Sequence, residues 1–255
     1  MTSKPLVHID GLAIAIDRRS YGERICAAIE GGRYELHERE LVKRHLECGD
    51  RVIDIGTAIG VVAMTAARVV GPDRVLAFDA NHEILLDAGE NFARNALGAI
   101  ATRFGALKNK RQFAPGEVVD FIVFDAFWAS RLRRPADDSG ATRAIKTPTY
   151  CLEDEIAAHR ANVLLCDIEG GEVDLFMWAD LTGISLIIVE THRQFVGDEA
   201  TVALVDKIMG DGFHLLPNDR DTNVLVFRRE RSGRDKAPTA NEVGDARPGR
   251  GANVD

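Results

Sequence analysis

A regular alternation of apolar segments with amphipathic segments runs through most of this 255-residue chain. Five segments are mostly apolar and strand-like: RVIDIG, RVLAFDA, ATRFGAL, NVLLCDIEG and ISLIIVETH. Four others carry apolar residues at helical spacing: VVAMTAARVV, HEILLDAGENFARNAL, EVDLFMWA and DEATVALVDKIMGDG. Continuous apolar strands separated by helices predict an α/β fold whose parallel sheet is buried on both faces. The last apolar segments, FHLL and NVLVFRR, predict an antiparallel hairpin at the sheet edge.

The alternation defines one main domain, which we predict to span residues 34–229. Residues 1–33 are interpreted as an N-terminal elaboration, with a strand pair in LVHIDGLAIAID and a turn of helix in YGERICAAIE. Residues 109–160 interrupt this alternation of strand-like and helical segments. After the strand-like EVVDFIVFDAFWAS, the polar stretch RLRRPADDSGATRAIKTPT predicts a loop on the substrate side. Residues 230–255 lack apolar periodicity and are predicted to be a disordered tail.

Composition and charge narrow the class of protein. The formal charge of -8 and the pI near 5.4 argue against a nucleic-acid-binding face, which needs concentrated Lys and Arg. No apolar stretch reaches membrane-spanning length, and the N-terminus lacks the apolar region of a signal peptide. Four cysteines without CxxC spacing predict reduced thiols: Cys26, Cys48, Cys151 and Cys166. We therefore expect a cytoplasmic protein without membrane insertion, whose oligomeric state, including a homo-oligomer, is open.

An acid and two glycines mark the end of the strand in RVIDIG. The strand stops on Asp54, and Gly56 and Gly60 allow a tight turn in which the backbone comes close to a ligand. In open α/β sheets, ligands bind beyond the carboxyl ends of the strands. A second acid, Asp79, ends the next strand and is well placed to accept hydrogen bonds from two ribose hydroxyls. These positions predict a nucleoside-containing cofactor at this edge of the sheet.

Two cofactors fit this arrangement. A dinucleotide site is typically G-x-G-x-x-G, with the pyrophosphate at a helix N-terminus. Here the spacing is D-x-G-x-x-x-G, and Ala58 takes the place of the second glycine. Asp54 beside the turn suits a cationic ligand better than a pyrophosphate. S-adenosylmethionine carries a sulfonium and an ammonium group and no phosphate, so it is favoured over NAD. The alternative without a ligand is that the glycines only close a strand–helix turn.

A second group of acids lies in LLCDIEGGEVDLF. Asp167 ends a strand, Glu169 and Glu172 follow within five positions, and two glycines turn the chain into the next helix. Three carboxylates on one turn repel each other unless a cation, a substrate hydroxyl or backbone donors compensate. Glu172 alone is explained by the dipole at the start of the following helix. That explanation does not extend to the other two acids.

The next strand, in ISLIIVETH, ends with Glu190 and His192. Neighbouring parallel strands would place these residues beside Asp167 and Glu169. A carboxylate–imidazole pair can take a proton from a hydroxyl that attacks a methyl group. The same groups suit a divalent metal such as Mg. A purely structural role for His192 is an equal alternative.

The chain resembles the FkbM family of S-adenosylmethionine-dependent methyltransferases. Four segments carry the resemblance: YELHERELVKRHLECGDRVIDIGTAIG, VLAFDANHEILLDAGENFARNAL, DIEGGE and IIVETH. The resemblance covers residues 34–228, and its most specific part is D-x-E-G-x-E followed by E-x-H at a strand end. It implies a class I methyltransferase (Rossmann-like) fold, with a seven-stranded, mostly parallel sheet and one antiparallel strand. It also implies O-methylation of a hydroxyl on a sugar, a glycan or a glycosylated natural product. Asp79 departs from the family, which usually has Glu there.

These observations and the resemblance together predict three groups of site residues. The cofactor-binding group is Glu35, Asp54, Gly56, Thr57, Gly60, Asp79, Ala80 and Asn81, with Tyr34 beside Glu35 over the cofactor. The catalytic group is His192 or Asp167 as base, with Glu169 and Glu172 orienting the sugar. The candidate metal ligands are Asp167, Glu169 and His192.

Three further interpretations stay open. Arg131, Arg133 and Arg134 form either an anion-binding patch for the substrate or a solvated basic loop. A nicotinamide-dependent oxidoreductase is disfavoured by the glycine spacing and by the lack of a Tyr-x-x-x-Lys pair. A non-catalytic binding protein with the adenosylmethionine-dependent fold would predict a degraded pocket, whereas Asp54, Gly56, Gly60 and Asp79 are present.

Overall fold

The structure, a computed structural model, describes residues 4–124, 130–132, 143–217 and 223–230. Arg133, Arg134 and nearly all of the tail predicted over 230–255 lie outside these residues. In chain order, the strands are Leu6–Ile9 (β1), Leu12–Ala15 (β2), Val52–Ile55 (β3), Val75–Asp79 (β4), Ala101–Phe104 (β5), Ala106–Lys108 (β6), Val118–Val123 (β7), Arg131–Leu132 (β8), Arg143–Cys151 (β9), Val163–Cys166 (β10), Leu186–Glu190 (β11), His214–Leu215 (β12) and Val224–Arg228 (β13). The helices are Arg18–Glu30 (α1), Leu36–His45 (α2), Val61–Val70 (α3), His82–Arg94 (α4), Leu152–His159 (α5), Glu172–Phe176 (α6), Arg193–Val196 (α7) and Asp198–Gly210 (α8).

Seven of the strands form the main sheet, in the order β12-β13-β11-β10-β3-β4-β5. The five strands from β11 to β5 run parallel, and β13 is antiparallel to both of its neighbours. This arrangement confirms the predicted mostly parallel sheet with a C-terminal antiparallel hairpin. The N-terminal strand pair is also confirmed, because β1 and β2 pair antiparallel with each other.

Helices cover both faces of the main sheet, as the continuous apolar strands predict. Val52 of β3 packs in a core with apolar residues of α1, α2, α3 and α4. Ile53, the next residue, points to the opposite face and packs with residues of α5, α6 and α8. Successive side chains of a strand alternate between faces, so a strand buried on both sides needs apolar residues at nearly every position. Among the described residues, no helix is both long and apolar enough to cross a membrane.

The strand register places the predicted acids side by side. Ile55 at the end of β3 pairs with Phe78 of β4 on one side and with Cys166 of β10 on the other. Cys166 in turn pairs with Val189 of β11. The residues that follow these four positions are Gly56, Asp79, Asp167 and Glu190. They therefore line one edge of the sheet, at the carboxyl ends of its parallel strands.

A second sheet of four strands, in the order β6-β9-β7-β8, stands beside this edge. The predicted strand in EVVDFIVFDAFWAS is confirmed over β7, which pairs antiparallel with β9 from Val118↔Pro148 to Val123↔Arg143. The predicted loop over residues 131–149 is wrong at residues 131–132 and 143–149, because these residues belong to β8 and β9; residues 133–142 lie outside the described part of the chain. Two of the buried positions of β9 are polar, Thr147 and Thr149. The sequence of β9 therefore lacks the clear alternation of apolar and polar residues that would predict a strand.

Candidate functional site

A cavity of about 790 Å³ opens at the carboxyl edge of the main sheet. Gly56, Asp79 and Asp167 line it at the strand ends. Leu107 of β6 and Phe121 of β7 line it from the second sheet. The cavity therefore lies between the two sheets, and the second sheet supplies a wall that the predicted loop did not anticipate.

The two glycines of the turn after β3 make room for protein atoms. A Cβ atom on Gly56 would come closer than 3.0 Å to the carbonyl oxygen of Asp167, and one on Gly60 would come equally close to the ring of Phe92. Both glycines also have positive φ angles, 89° and 86°. Gly56 lines the cavity as predicted, whereas Gly60 is not among its lining residues and serves the packing of α3 against α4.

Asp79 presents a fixed carboxylate to the cavity. Its Oδ2 accepts a hydrogen bond from the backbone N–H of Ala58 at 2.9 Å, and its Oδ1 accepts one from the N–H of Asn81 at 2.8 Å. Burial raises the pKa of Asp79 to about 7, although these backbone donors favour the ionised form. Each carboxylate oxygen can accept a second hydrogen bond. Ala80 and Asn81, also predicted to bind the cofactor, line the cavity beside it.

A second, much smaller cavity of about 20 Å³ lies beside the first. Five carboxylate residues line it: Glu35, Glu38, Asp54, Asp167 and Glu190. Three of their oxygens are buried without a hydrogen-bond partner among the described residues: Glu35 Oε2, Asp54 Oδ2 and Asp167 Oδ1. Thr57, predicted to bind the cofactor, lines only this small cavity.

Burial and mutual repulsion shift the titration of these acids. Burial raises the pKa of Asp54 to about 6. Burial, together with the nearby carboxylate of Glu38, raises the pKa of Glu190 to about 7. Burial also raises the pKa values of Glu35 and Asp167 well above their usual range. The small cavity is thus a place where negative charge is held at a cost in free energy.

His192 lies behind the acids. Its side chain is 4% exposed, and its Nε2 is 3.4 Å from both Asp167 Oδ1 and Glu169 Oε2. Its Nδ1 is 3.4 Å from Oε1 of Glu172, and the same oxygen accepts a hydrogen bond from the His192 backbone N–H at 2.8 Å. The predicted proximity of His192 to the acids is therefore confirmed.

The geometry does not support His192 as a base. Burial lowers its pKa, but Glu172, Asp167 and Glu169 outweigh this and raise the pKa of His192 to about 9. Without a bound cation, the imidazole therefore holds a proton at neutral pH. His192 and the fully buried Glu172 are also not among the residues that line the large cavity. Both residues support the acids in front of them.

Asp167 and Glu169 are the acids of DIEGGE that line the large cavity. Glu169 has a φ of 51°, and Gly170 follows with a φ of 91°. A non-glycine residue in this left-handed region is strained, and such strain tends to persist at functional sites. The tight turn keeps Glu169 on the cavity side while the chain enters α6.

Some site residues were not predicted from the sequence. Glu38 lines the small cavity together with Glu35, three positions before it. Glu35 directly precedes α2 and Glu38 lies in its first turn, so E-x-x-E in YELHERE was an available signal.

Arg131, predicted to belong to an anion-binding patch or a solvated basic loop, lines the large cavity. Its guanidinium lies 4.7 Å from the ring centroids of Phe124 and Phe195.

Comparison with known proteins identifies the fold. No protein-family model and no curated protein matches the chain. Among solved structures, TYW2 of P. horikoshii in complex with MeSAdo aligns with 89% of this chain and 72% of its own, at 14% identity and a TM-score of 0.50. The ribosomal protein L11 methylase of Lactobacillus delbrueckii subsp. bulgaricus aligns with 78% of this chain and 81% of its own, at 15% identity and a TM-score of 0.45. The likeness to TYW2, together with the strand order, shows that the chain has the Rossmann-like fold of class I methyltransferases.

Proposed function

We propose that the chain is an S-adenosylmethionine-dependent methyltransferase of the FkbM type, which methylates a hydroxyl of a sugar, a glycan or a glycosylated natural product. The fixed carboxylate of Asp79 in the cavity wall is the observation that carries this function. It ends the strand after the D-x-G-x-x-x-G turn, and its free lone pairs face a space large enough for a nucleoside. The fold is the one in which such sites occur at this sheet edge.

The cavity offers a matching surface for each part of S-adenosylmethionine. Phe78, Ile84 and Leu107 form an apolar wall suited to the adenine ring. Asp79 can accept hydrogen bonds from the ribose hydroxyls. Glu35 and Asp167, which also line the cavity, suit the cationic methionine part. The same acids would repel the pyrophosphate of NAD, so this surface favours the sulfonium compound over the dinucleotide.

When bound, S-adenosylmethionine supplies a methyl group already activated by its positive sulfur. The chain then has two tasks, which are to align the acceptor hydroxyl and to take its proton. Positioning alone is worth about 7–11 kcal/mol for well-oriented reactants. Asp167 and Glu169 are the acids placed to accept the proton, because both line the cavity. His192 and Glu172 hold these acids from behind and are positioning residues.

The proposed acceptor is a polyhydroxylated molecule. The polar side chains that line the same cavity include Lys108, Gln112, Ser130 and Asp174. They offer both donors and acceptors, which several hydroxyls of one sugar can satisfy together. The FkbM resemblance of the DIEGGE and IIVETH motifs supports the same class of acceptor.

Calorimetry with the full chain tests the cofactor. S-adenosylmethionine and S-adenosylhomocysteine should bind with one site per chain, and NAD should not. Incubation with methyl-labelled S-adenosylmethionine and a panel of glycans and sugar nucleotides then tests the reaction, with labelled product expected from at least one hydroxyl acceptor. Binding of NAD in place of S-adenosylmethionine would indicate an oxidoreductase. Transfer of label only to nitrogen or carbon would contradict O-methylation.

A further inference from the structure

We infer that the chain has a binding site for one divalent cation of the Mg²⁺ or Mn²⁺ class, held by Asp167, Glu190 and His192. Each of these residues offers one ligand atom, and the three atoms lie within 4.8 Å of one another. Hard cations bind their ligands at about 2.0–2.6 Å, so ligands on opposite sides of the ion are about 4–5 Å apart. The three side chains are therefore spaced as ligands of a single ion. This set replaces the predicted Glu169 with Glu190.

The small cavity beside these residues gives independent support. Its volume of about 20 Å³ is enough for one particle of the size of a water molecule. Asp167 and Glu190 line it together with Asp54, which is only 4% exposed. Oδ2 of Asp54 has no hydrogen-bond partner among the described residues. A buried carboxylate oxygen without a partner is costly, so a ligand with positive charge is expected at this position.

The charge around the small cavity is unbalanced. Five of its lining residues are acids, and none of the described residues that line it is Lys, Arg or His. His192 lies 3.4 Å from Asp167, and its imidazole would release its proton on binding the cation, as metal ligands do. Carboxylates this close together repel each other, and a divalent cation offsets two negative charges in the space of one small ion.

The ligand chemistry narrows the choice of ion. Two carboxylates and one imidazole form a mixed oxygen and nitrogen set, which suits Mn²⁺ and Mg²⁺. Asp167 and Glu190 also line the large cavity. An ion between them would therefore have a side open to that cavity, where water or a substrate oxygen could complete its coordination. Asp79 lies outside this ligand set, so cation binding and nucleoside binding can be measured separately.

The test is a titration of the full chain with MnCl₂ alone, without S-adenosylmethionine, followed by calorimetry and by the electron paramagnetic resonance signal of free Mn²⁺. The wild type should bind one Mn²⁺ per chain. Glu190→Gln should weaken the affinity at least about tenfold. The exposed Glu199→Gln makes the same change in charge on α8 and should leave the affinity unchanged. Absence of Mn²⁺ binding by the wild type, or equal binding by the two variants, would overturn the inference.

A second measurement uses the wild type only and does not depend on how a variant folds. Pulsed electron paramagnetic resonance of the Mn²⁺ complex should show coupling to an imidazole nitrogen, because His192 is a ligand. A complex without nitrogen coupling would contradict the proposed ligand set. Calorimetry with S-adenosylmethionine in the presence of EDTA separates the two proposals. Retained cofactor binding without any Mn²⁺ site would refute the cation site alone.

Discussion

The backbone of Gly56 lies against the carbonyl oxygen of Asp167, with no space for a side chain between them. The backbone N–H of Asp167 also donates a hydrogen bond to the carbonyl oxygen of Ile55 at 3.0 Å. These contacts fix the turn after β3 against the end of β10. We therefore expect Asp54 and Asp167, which flank this contact, to change their separation little when a ligand binds.

This contact makes Gly56→Ala a costly substitution. The new Cβ atom would meet the backbone of Asp167, and the positive φ would add strain. The expected loss in the free energy of unfolding is about 3 kcal/mol or more, from overpacking together with left-handed strain. Gly116→Ala is the matched control, because Gly116 has a φ of 77° and nothing within 4 Å of its Cβ position. It should lose only about 1 kcal/mol in urea unfolding. An equal loss in the free energy of unfolding in the two variants would show that the contact between Gly56 and Asp167 does not contribute to stability.

Asp79→Ala should weaken S-adenosylmethionine binding. Hydrogen bonds to a charged group contribute about 1.5–3 kcal/mol, so the dissociation constant should rise by about tenfold to a hundredfold. Isothermal titration calorimetry measures this change. Asp73→Ala removes an exposed acid just before β4 and should leave the dissociation constant unchanged. An unchanged affinity in Asp79→Ala would place the nucleoside elsewhere.

Stability without ligand should fall as the pH rises from about 4 to 7. The folded-state pKa values of Asp54 and Asp79 are raised to about 6 and about 7, because both carboxyls are buried. Across this range the folded chain holds protons that the unfolded chain has released, so raising the pH favours unfolding. Urea unfolding at several pH values should show the decline. Asp54→Asn should make it shallower, and the exposed Asp73→Asn should not.

Arg39 should contribute strongly to the stability of the N-terminal part of the chain. This residue is completely buried, donates hydrogen bonds to the carbonyl oxygens of Tyr34 at 3.0 Å and Gly32 at 2.7 Å, and pairs with Asp10. Arg39→Met removes the side-chain donor of the two carbonyl oxygens and should cost about 3 kcal/mol in urea unfolding. Arg18→Met breaks the exposed pair with Glu30 and should cost less than about 1 kcal/mol.

The main sheet could be predicted from the sequence because its central strands are apolar on both faces. Of the second sheet, the sequence predicted β7 but not β9, with which it pairs. In β9 the buried positions include two threonines, and the hydroxyl of Thr147 donates a hydrogen bond to the carbonyl oxygen of Ala80 at 2.9 Å. A polar side chain that finds its partner inside the protein has the same sequence signature as one in a loop. Only the tertiary structure separates the two cases.

The position of the candidate site at the sheet edge was predictable from the sequence, but the burial of its residues was not. Asp54, Asp79 and Asp167 follow apolar strands, so the parallel register alone brings them to one edge. The burial of His192 was not predictable, because it depends on Glu172, whose carboxylate reaches back from α6 to the His192 backbone. A strand-end histidine has the same sequence whether it faces the cavity or lies behind it.

Gly105 joins β5 of the main sheet to β6 of the second sheet as a single intervening residue. A side chain there would run into the ring of Tyr150, and the Gly105 N–H donates a hydrogen bond to the carbonyl oxygen of Asp79 at 2.9 Å. We therefore expect a shift of Tyr150 along β9 to move Gly105 and, with it, the end of β4. The cavity wall formed by β6, which would contact the acceptor, is therefore connected to Asp79, which would bind the nucleoside. We expect mutations in β6 that broaden acceptor choice to alter cofactor affinity as well.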